Sequence, residues 1–514
     1  MIKKSLLTLC GIGFLSLATS ALSSCSFRGT GSSDYDQELP EDDPSSEVVI
    51  DFWHCLGHDK TSNLTKIVQQ FNKDYDGLYE VKLTKVAGDY DSLHDSVKTK
   101  LAAGEVPALC MGYPDSFAEY ISDDINQSAI LRLDNFINDE EFGYNQAELD
   151  DFIDEYLEEG QNYQFEGTWS MPMYKSTEIA YYNGGYFAGD NTQNIRYMAR
   201  TYQTSDSTTY NEFETLRRAA SSKNATDEQL DALYEFTKAH NGYYYDVPVT
   251  WAEMVALGRD IVADRNKESV TGSFIPIGYD SDANLYISQF AQRGIPFTVN
   301  NEDTNDNPSA HYAFVNDEAK AFVKEVTDLI KEGVFMTKGS LGEKYTNEYF
   351  TAGQAAFVVG STGGSSYNVS SNFKVKLASV PYYGETRKYI MQGPSICLFN
   401  NNDPYIHKGA WLFYKTLAST ENNTALALEN SYDPVLESCY ETDRYKQWVD
   451  RAGQDLKYDI TAATLPLHDY YMTSPVFVGS SVAREEIRKI TANVVNSGTS
   501  IDQAFIEAYN KCTR

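Results

Sequence analysis

Val48-Val49-Ile50-Asp51-Phe52-Trp53 is a run of β-branched and aromatic residues of strand type, and together with the periodic segments after it this run decides the fold. Leu64, Ile67, Val68 and Phe71 fall at helical spacing, with Ser62 or Asn63 as the expected cap. Residues 79–86 alternate like a half-buried strand. Leu93, Val97 and Leu101 mark a second helix, stopped at Gly104, and residues 107–112 read as a third, buried strand. Strand, helix, strand, helix, strand predicts an α/β fold: a parallel sheet in 2-1-3 order with helices on its faces. Ligands of such sheets bind beyond the carboxyl ends of the strands. That places Trp53, His54, Tyr113 and Asp115 on one rim.

A second alternation comes later in the chain. Residues 253–262 and 314–330 are expected helices, with Phe274-Ile275-Pro276-Ile277 strand-like between them. Residues 355–359 read as another strand, and 410–417 as a helix. Val482, Ile487, Ile490 and Val494, then Ala504, Phe505 and Ala508, make the tail helical. The polar stretches 189–224 and 300–309 read as surface insertions or long loops.

The chain opens Met1-Ile2-Lys3-Lys4 and continues with an apolar run to Leu22, the pattern of an export signal. A membrane-spanning reading is disfavoured, because the apolar core is short and broken by Gly and Ser. Leu22-Ser23-Ser24-Cys25 resembles the lipobox of bacterial lipoproteins, which implies cleavage before Cys25 and acylation of that residue. Residues 1–24 are therefore the expected signal peptide, and the polar residues 25–45 the expected flexible tether.

With 514 residues, 42% hydrophobic and 23% charged, the chain is large enough for two to four domains with ordinary cores. Lys and Arg number 42 against 74 Asp and Glu, a net charge of −32, which argues against nucleic acid as partner. Five cysteines remain beyond Cys10 and Cys25: Cys55, Cys110, Cys397, Cys439 and Cys512. Their odd number and wide spacing fit neither a disulfide scaffold nor a zinc ribbon. Cys55 and Cys110, at the ends of neighbouring strands, could pair; the default is buried thiols.

The order of motifs resembles the family 1 extracellular solute-binding proteins of bacterial ABC importers, the maltose- and glycerol-phosphate-binding type. The likeness runs from about Val48 to the C-terminus. It is carried by Ile50-Asp51-Phe52-Trp53-His54, by Leu101-Ala102-Ala103-Gly104-Glu105-Val106-Pro107 and by Gly112-Tyr113-Pro114-Asp115. Trp169-Ser170-Met171-Pro172 and Glu178-Ile179-Ala180-Tyr181-Tyr182-Asn183 continue it, then Val249-Thr250-Trp251-Ala252-Glu253-Met254. Phe350-Thr351-Ala352-Gly353-Gln354-Ala355-Ala356 and Gln392-Gly393-Pro394-Ser395 close the set. The segment between Asn183 and Val249 and the tail after Asn430 are longer than the family pattern.

The resemblance implies a two-lobed periplasmic-binding-protein-like (type II) fold with a hinge and an interlobe cleft that closes on ligand. Lobe 1 is expected at 46–166 and 389–430, lobe 2 at 167–388 and 431–514, with crossings near 169–174 and 381–392. It implies a lipid-anchored receptor on the outer face of the cytoplasmic membrane. Such a receptor captures a carbohydrate, an oligosaccharide foremost, and hands it to ABC permease subunits. It would act as a monomer, without a cofactor and without chemistry. A glycerol-phosphate-type or peptide ligand is the alternative, and a surface glycoside hydrolase a further one.

A sugar offers hydroxyls at its edge and C–H groups on its faces, so it is held by planar hydrogen-bonding groups and aromatic platforms. Trp53, Tyr113, Trp169, Tyr174 and Trp251 are the candidate platforms, with core packing the competing reading for Trp251, as for Trp411 and Trp448. His54, Asp115, Glu178 and Gln392 are the candidate polar contacts. Ser361 and Ser474, in small-residue loops, could offer backbone N–H groups or be simple turns. His54 and His58 stand four apart, but Gly57 lies between them and no acidic third ligand is evident, so no metal site is expected.

Overall fold

The structure is a computed structural model that describes residues 39–57, 60–122, 127–300, 304 and 307–514. The expected signal peptide, Cys25 and His58 lie outside the described residues. The chain builds two lobes, each on its own five-stranded sheet.

The first sheet has the order β2-β1-β3-β11-β4. Its strands are β1 (Val48–His54), β2 (Tyr79–Lys85), β3 (Leu109–Gly112), β4 (Met171–Pro172) and β11 (Ser395–Leu398). β1 runs parallel to β2 and β3, the expected 2-1-3 core. β11 and β4 are antiparallel, so the sheet is mixed. Alternation along β1 turns Ile50, Phe52 and His54 inward. The helix Ser62–Asp74 covers them with Leu64, Ile67, Val68 and Phe71; its cap position is Thr61, one residue before the expected pair.

The second sheet has the order β7-β6-β8-β5-β9. It comprises β5 (Glu178–Asn183), β6 (Ile277–Tyr279), β7 (Phe335–Thr337), β8 (Phe357–Ser361) and β9 (Val375–Ala378). β6 lies parallel to β7 and β8, while β5 is antiparallel to β8 and β9. A small two-stranded pair, β10 (Tyr389–Ile390) with β12 (Tyr471–Met472), stands between the lobes.

Three chain segments run side by side at the hinge. Lys175 exchanges backbone hydrogen bonds with Asp433 at 2.9 and 2.6 Å, and Ser176 with Gln392 at 2.8 and 2.7 Å. The approach is close enough to require glycine at 393: a Cβ there would lie 2.6 Å from the Tyr174 carbonyl oxygen, and the residue holds φ at +99°.

The structure corrects several expectations. β4 belongs to the first sheet, so the chain leaves lobe 1 after Pro172, not at residue 167. Residues 435–449 pack on lobe 1, not lobe 2: Leu436 bridges Phe152, and Asp151 accepts from the Ser438 N–H at 2.8 Å. The expected tether ends earlier. Leu39 and Pro44 are buried, and the Lys408 ammonium donates to the Pro40 carbonyl at 3.0 Å. The stretch after Asn183 is helical, not looped, with helices at Thr192–Tyr202, Ser207–Ala220 and Asp227–Ala239. Asn191, Asp206 and Thr226 cap them, and Met198, Phe213, Leu230 and Leu233 form a small core of their own.

Candidate ligand cleft

The carboxyl end of β3 delivers Tyr113 and Asp115 to a cavity between the lobes. Its other walls are Ile287 and Phe297 from lobe 2, Ile390–Gln392 from the crossing segment, and Thr473–Val476 with Arg484 from the C-terminal part. This cavity is narrow, about 80 Å³. Tyr113 leans on Tyr90 with ring centroids 4.5 Å apart. Asp115 accepts from the Ser116 N–H at 2.9 Å. Burial raises its carboxyl above the usual range, and the facing Arg484 guanidinium opposes that rise. Glu159, also on this wall, receives the buried Lys175 ammonium, and Lys175 donates to Ser395 Oγ at 3.0 Å as well.

A second, wider cavity of about 520 Å³ lies on the lobe 2 side and shares Gln392 with the first. Glu178 at the start of β5, Asp280 after β6, and Asn284 on the helix Asp282–Arg293 line it. Tyr279 donates its hydroxyl to Glu178 at 2.5 Å, and the Asn284 side-chain amide donates at 2.9 Å. Burial pushes Glu178 up to about 7 despite these donors. Arg484 donates to Asn284, so one chain of hydrogen bonds joins the two cavities. Beyond them the lobes touch. Ser481 donates to Glu119, and the Lys60 ammonium donates to the Gly363 carbonyl at 2.8 Å.

The structure thus gathers Tyr113, Asp115, Glu178, Ser361 and Gln392 around the two cavities, with Ser474 beside them. The others lie elsewhere. Trp169 is completely buried in lobe 1; its indole N–H donates to the Phe165 carbonyl at 3.3 Å. Trp251 is packed against Phe322 and Phe335 in the lobe 2 core and donates to Glu325 at 2.6 Å. Trp53 donates to Asp51 at 2.6 Å on the face of β1 opposite Phe52. His54 is buried beneath the sheet, accepts from the Leu56 N–H at 3.2 Å, and is held at about 4 by burial, so its ring is neutral. Tyr174 is fully buried against Tyr432, at 4.5 Å between ring centroids.

Arg484, Asn284, Asn368 and Tyr367 line the cavities without having been anticipated. Arg484 sits in a helix whose sequence signal is only its apolar stripe. A family model of bacterial extracellular solute-binding proteins matches residues 66–453. The chain belongs to this family. The candidate cleft includes residues outside that match, for Arg484 and Thr473–Val476 lie beyond its end. Among relatives, the sn-glycerol-3-phosphate-binding periplasmic protein UgpB of Rhizobium meliloti is 29% identical over 118 residues. That match spans 23% of this chain and only 27% of the relative. Two solved solute-binding proteins share the fold. The GacH receptor of Streptomyces glaucescens, studied unliganded and with acarbose, has 14% identity and a TM-score of 0.62, over 90% of this chain and 97% of its own. UgpB of Mycobacterium tuberculosis, in complex with glycerophosphocholine, has 15% identity and a TM-score of 0.62, over 91% and 98%.

Proposed function

We propose that this solute-binding protein captures a neutral carbohydrate, foremost an oligosaccharide, and delivers it to the permease of an ATP-driven importer. The observation that carries the reading is the charge of the cleft. Asp115, Glu159, Glu178 and Asp280 line the two cavities, and among the described lining residues Arg484 is the only basic side chain. Lys175 neutralises Glu159, which leaves a phosphate facing Asp115, Glu178 and Asp280 with one guanidinium, whereas sugar hydroxyls can donate to those three carboxylates. Arg484, together with the two UgpB likenesses, is what favours the second reading, a glycerophosphate-type ligand. The receptor works as a monomer and leaves its ligand chemically unchanged, and closure about the hinge brings both walls onto the solute.

A thermal-shift panel decides between the readings, because a ligand that binds only the folded state raises the melting temperature by mass action, about 2.7 kcal/mol at a hundred times Kd. Neutral oligosaccharides should raise it and remain intact on incubation. A rise with glycerol 3-phosphate or glycerophosphocholine alone would replace the carbohydrate reading.

The protein acts at the outer face of the cytoplasmic membrane, anchored by lipid on Cys25. No helix among the described residues is long and apolar enough to cross a membrane. Cys25→Ser should give unlipidated protein that leaves the detergent phase. Unchanged partitioning would refute the anchor.

A further inference from the structure

Away from both cavities, one carboxylate holds together the segments by which the chain passes between the lobes. Asp433 is 2% exposed, and its backbone is bonded to Lys175 on the first crossing segment. Its side chain grips what returns later in the sequence. Oδ1 accepts from the Thr464 hydroxyl at 2.8 Å, and Oδ2 accepts from the Tyr471 hydroxyl at 2.9 Å. Thr464 ends the helix Leu456–Thr464, whose Ile460 packs in a lobe 2 cluster with Val358 and Val375. Tyr471 lies in β12 and stacks on Tyr156 of lobe 1, with ring centroids 6.2 Å apart. Elements tied to both lobes therefore meet at Asp433.

His468 lies between Thr464 and Tyr471 in sequence, and its Nε2 stands 3.5 Å from Asp433 Oδ2. The ring packs against Tyr440 and Tyr156 of lobe 1 and against Tyr471. The separation is at the long limit of a hydrogen bond, and among the described residues Nε2 has no other partner, so the attraction depends on the charge of the ring. Glu437, on the helix Glu437–Glu441, and Asp469, beside the histidine, add negative potential. The tyrosines around the pair stay neutral, because burial raises Tyr156, Tyr440, Tyr445 and Tyr471 above their ordinary value. The Lys175 ammonium is taken up by Glu159. His468 is therefore the member of this cluster that changes charge between about pH 5 and 8. Burial alone would lower its imidazole; the Asp433 carboxylate outweighs burial and holds the ring above its usual value.

We propose that His468 is a positioning residue of the hinge: its protonated ring clasps Asp433 and draws the crossing segments together, and its neutral ring releases them, so the lobes rotate more freely at high pH than at low pH. Because the folded-state value is raised, the clasp is complete below the ordinary imidazole pKa and is lost as pH rises through the raised one. His468 lines neither cavity of the cleft, so the device is independent of which solute is carried.

The test is amide hydrogen exchange of the full chain without solute, at about pH 5.5 and about pH 8, with the chemical pH dependence of exchange divided out. Exchange reports openings on the scale of minutes to hours, and the amides to follow are those of Lys175 and Asp433, which bond to each other across the crossings. In wild type their protection should fall by roughly tenfold between the two pH values, the size of one charge-assisted contact. In His468→Gln it should not change with pH. Proton NMR supplies a second readout that does not need the variant to be as stable as wild type. The His468 resonance, one of seven histidines and assigned by its loss in His468→Gln, should titrate above a free histidine. Protection that is independent of pH in wild type, an equal fall in both proteins, or a midpoint below that of a free histidine overturns the proposal.

Discussion

On the lobe 1 side of the cleft, polar groups already have partners within the protein. Asp115 accepts from Ser116, and Glu159 is held by Lys175 and Ser395. On the lobe 2 side, Asn368 Oδ1 is unmet, and Tyr345 and Tyr367 stand exposed. Trp169 and Trp411, two tryptophans of lobe 1, are fully buried and donate to backbone carbonyls. Lobe 1 therefore presents a preformed wall, whereas lobe 2 leaves valences that a ligand has to fill. Recognition that depends on donors from the solute should be concentrated on the second wall.

The largest effect tests the first half of that comparison. Trp169→Ala removes a fully buried indole and the hydrogen bond to Phe165. The expected cost is about 3–5 kcal/mol of stability. Affinity of the folded fraction should be nearly unchanged, because the ring lines neither cavity. Denaturant melts and a titration on the same variant separate the two quantities. A large affinity loss at intact stability would make the lobe 1 wall a recognition surface and erase the contrast.

Trp169 also measures how far the sequence could be read. The 2-1-3 core was legible, because it lies in consecutive elements with clean periodicities. The antiparallel β11 was not: its pairing with β3 joins Cys397 to Cys110 across most of the chain, and no local pattern encodes it. That register also makes Cys397, rather than Cys55, the antiparallel partner of Cys110. At the site, Tyr113 and Asp115 were legible because strand ends point to a rim. Trp169 was misplaced since a large ring near a crossing serves a core or a cleft equally well, and sequence alone does not say on which side the ring lies. Arg484 was missed because it occupies the polar side of an amphipathic helix, where most such residues face water, and Asn284 because its helix is buried on nearly all sides and its polar residues form no face that marks a site. The helices after Asn183 had visible caps at Asn191, Asp206 and Thr226, but their polar composition read as loop.

A smaller effect sharpens the second half of the comparison, and it is a pH dependence. Burial raises Glu178 from 4.5 to about 7. The folded state therefore holds this proton more tightly than the unfolded chain. Its contribution is fully present below pH 4.5 and is lost as pH rises through 7, so stability should fall across that window. A shift of this size corresponds to about 3 kcal/mol at most. Glu178→Gln is neutral at every pH, and its carboxamide can still accept from Asn284. Urea melts at about pH 5 and about pH 8 should show wild type losing stability between them and the variant losing less. Parallel profiles would mean that Glu178 carries no such cost. Ligand sharpens the test further. Hydroxyl donors reaching Glu178 would favour its ionised form, so saturating oligosaccharide should shift the wild-type midpoint down and flatten the profile. A ligand that left the midpoint where it was would be making its polar contacts on the lobe 1 wall instead.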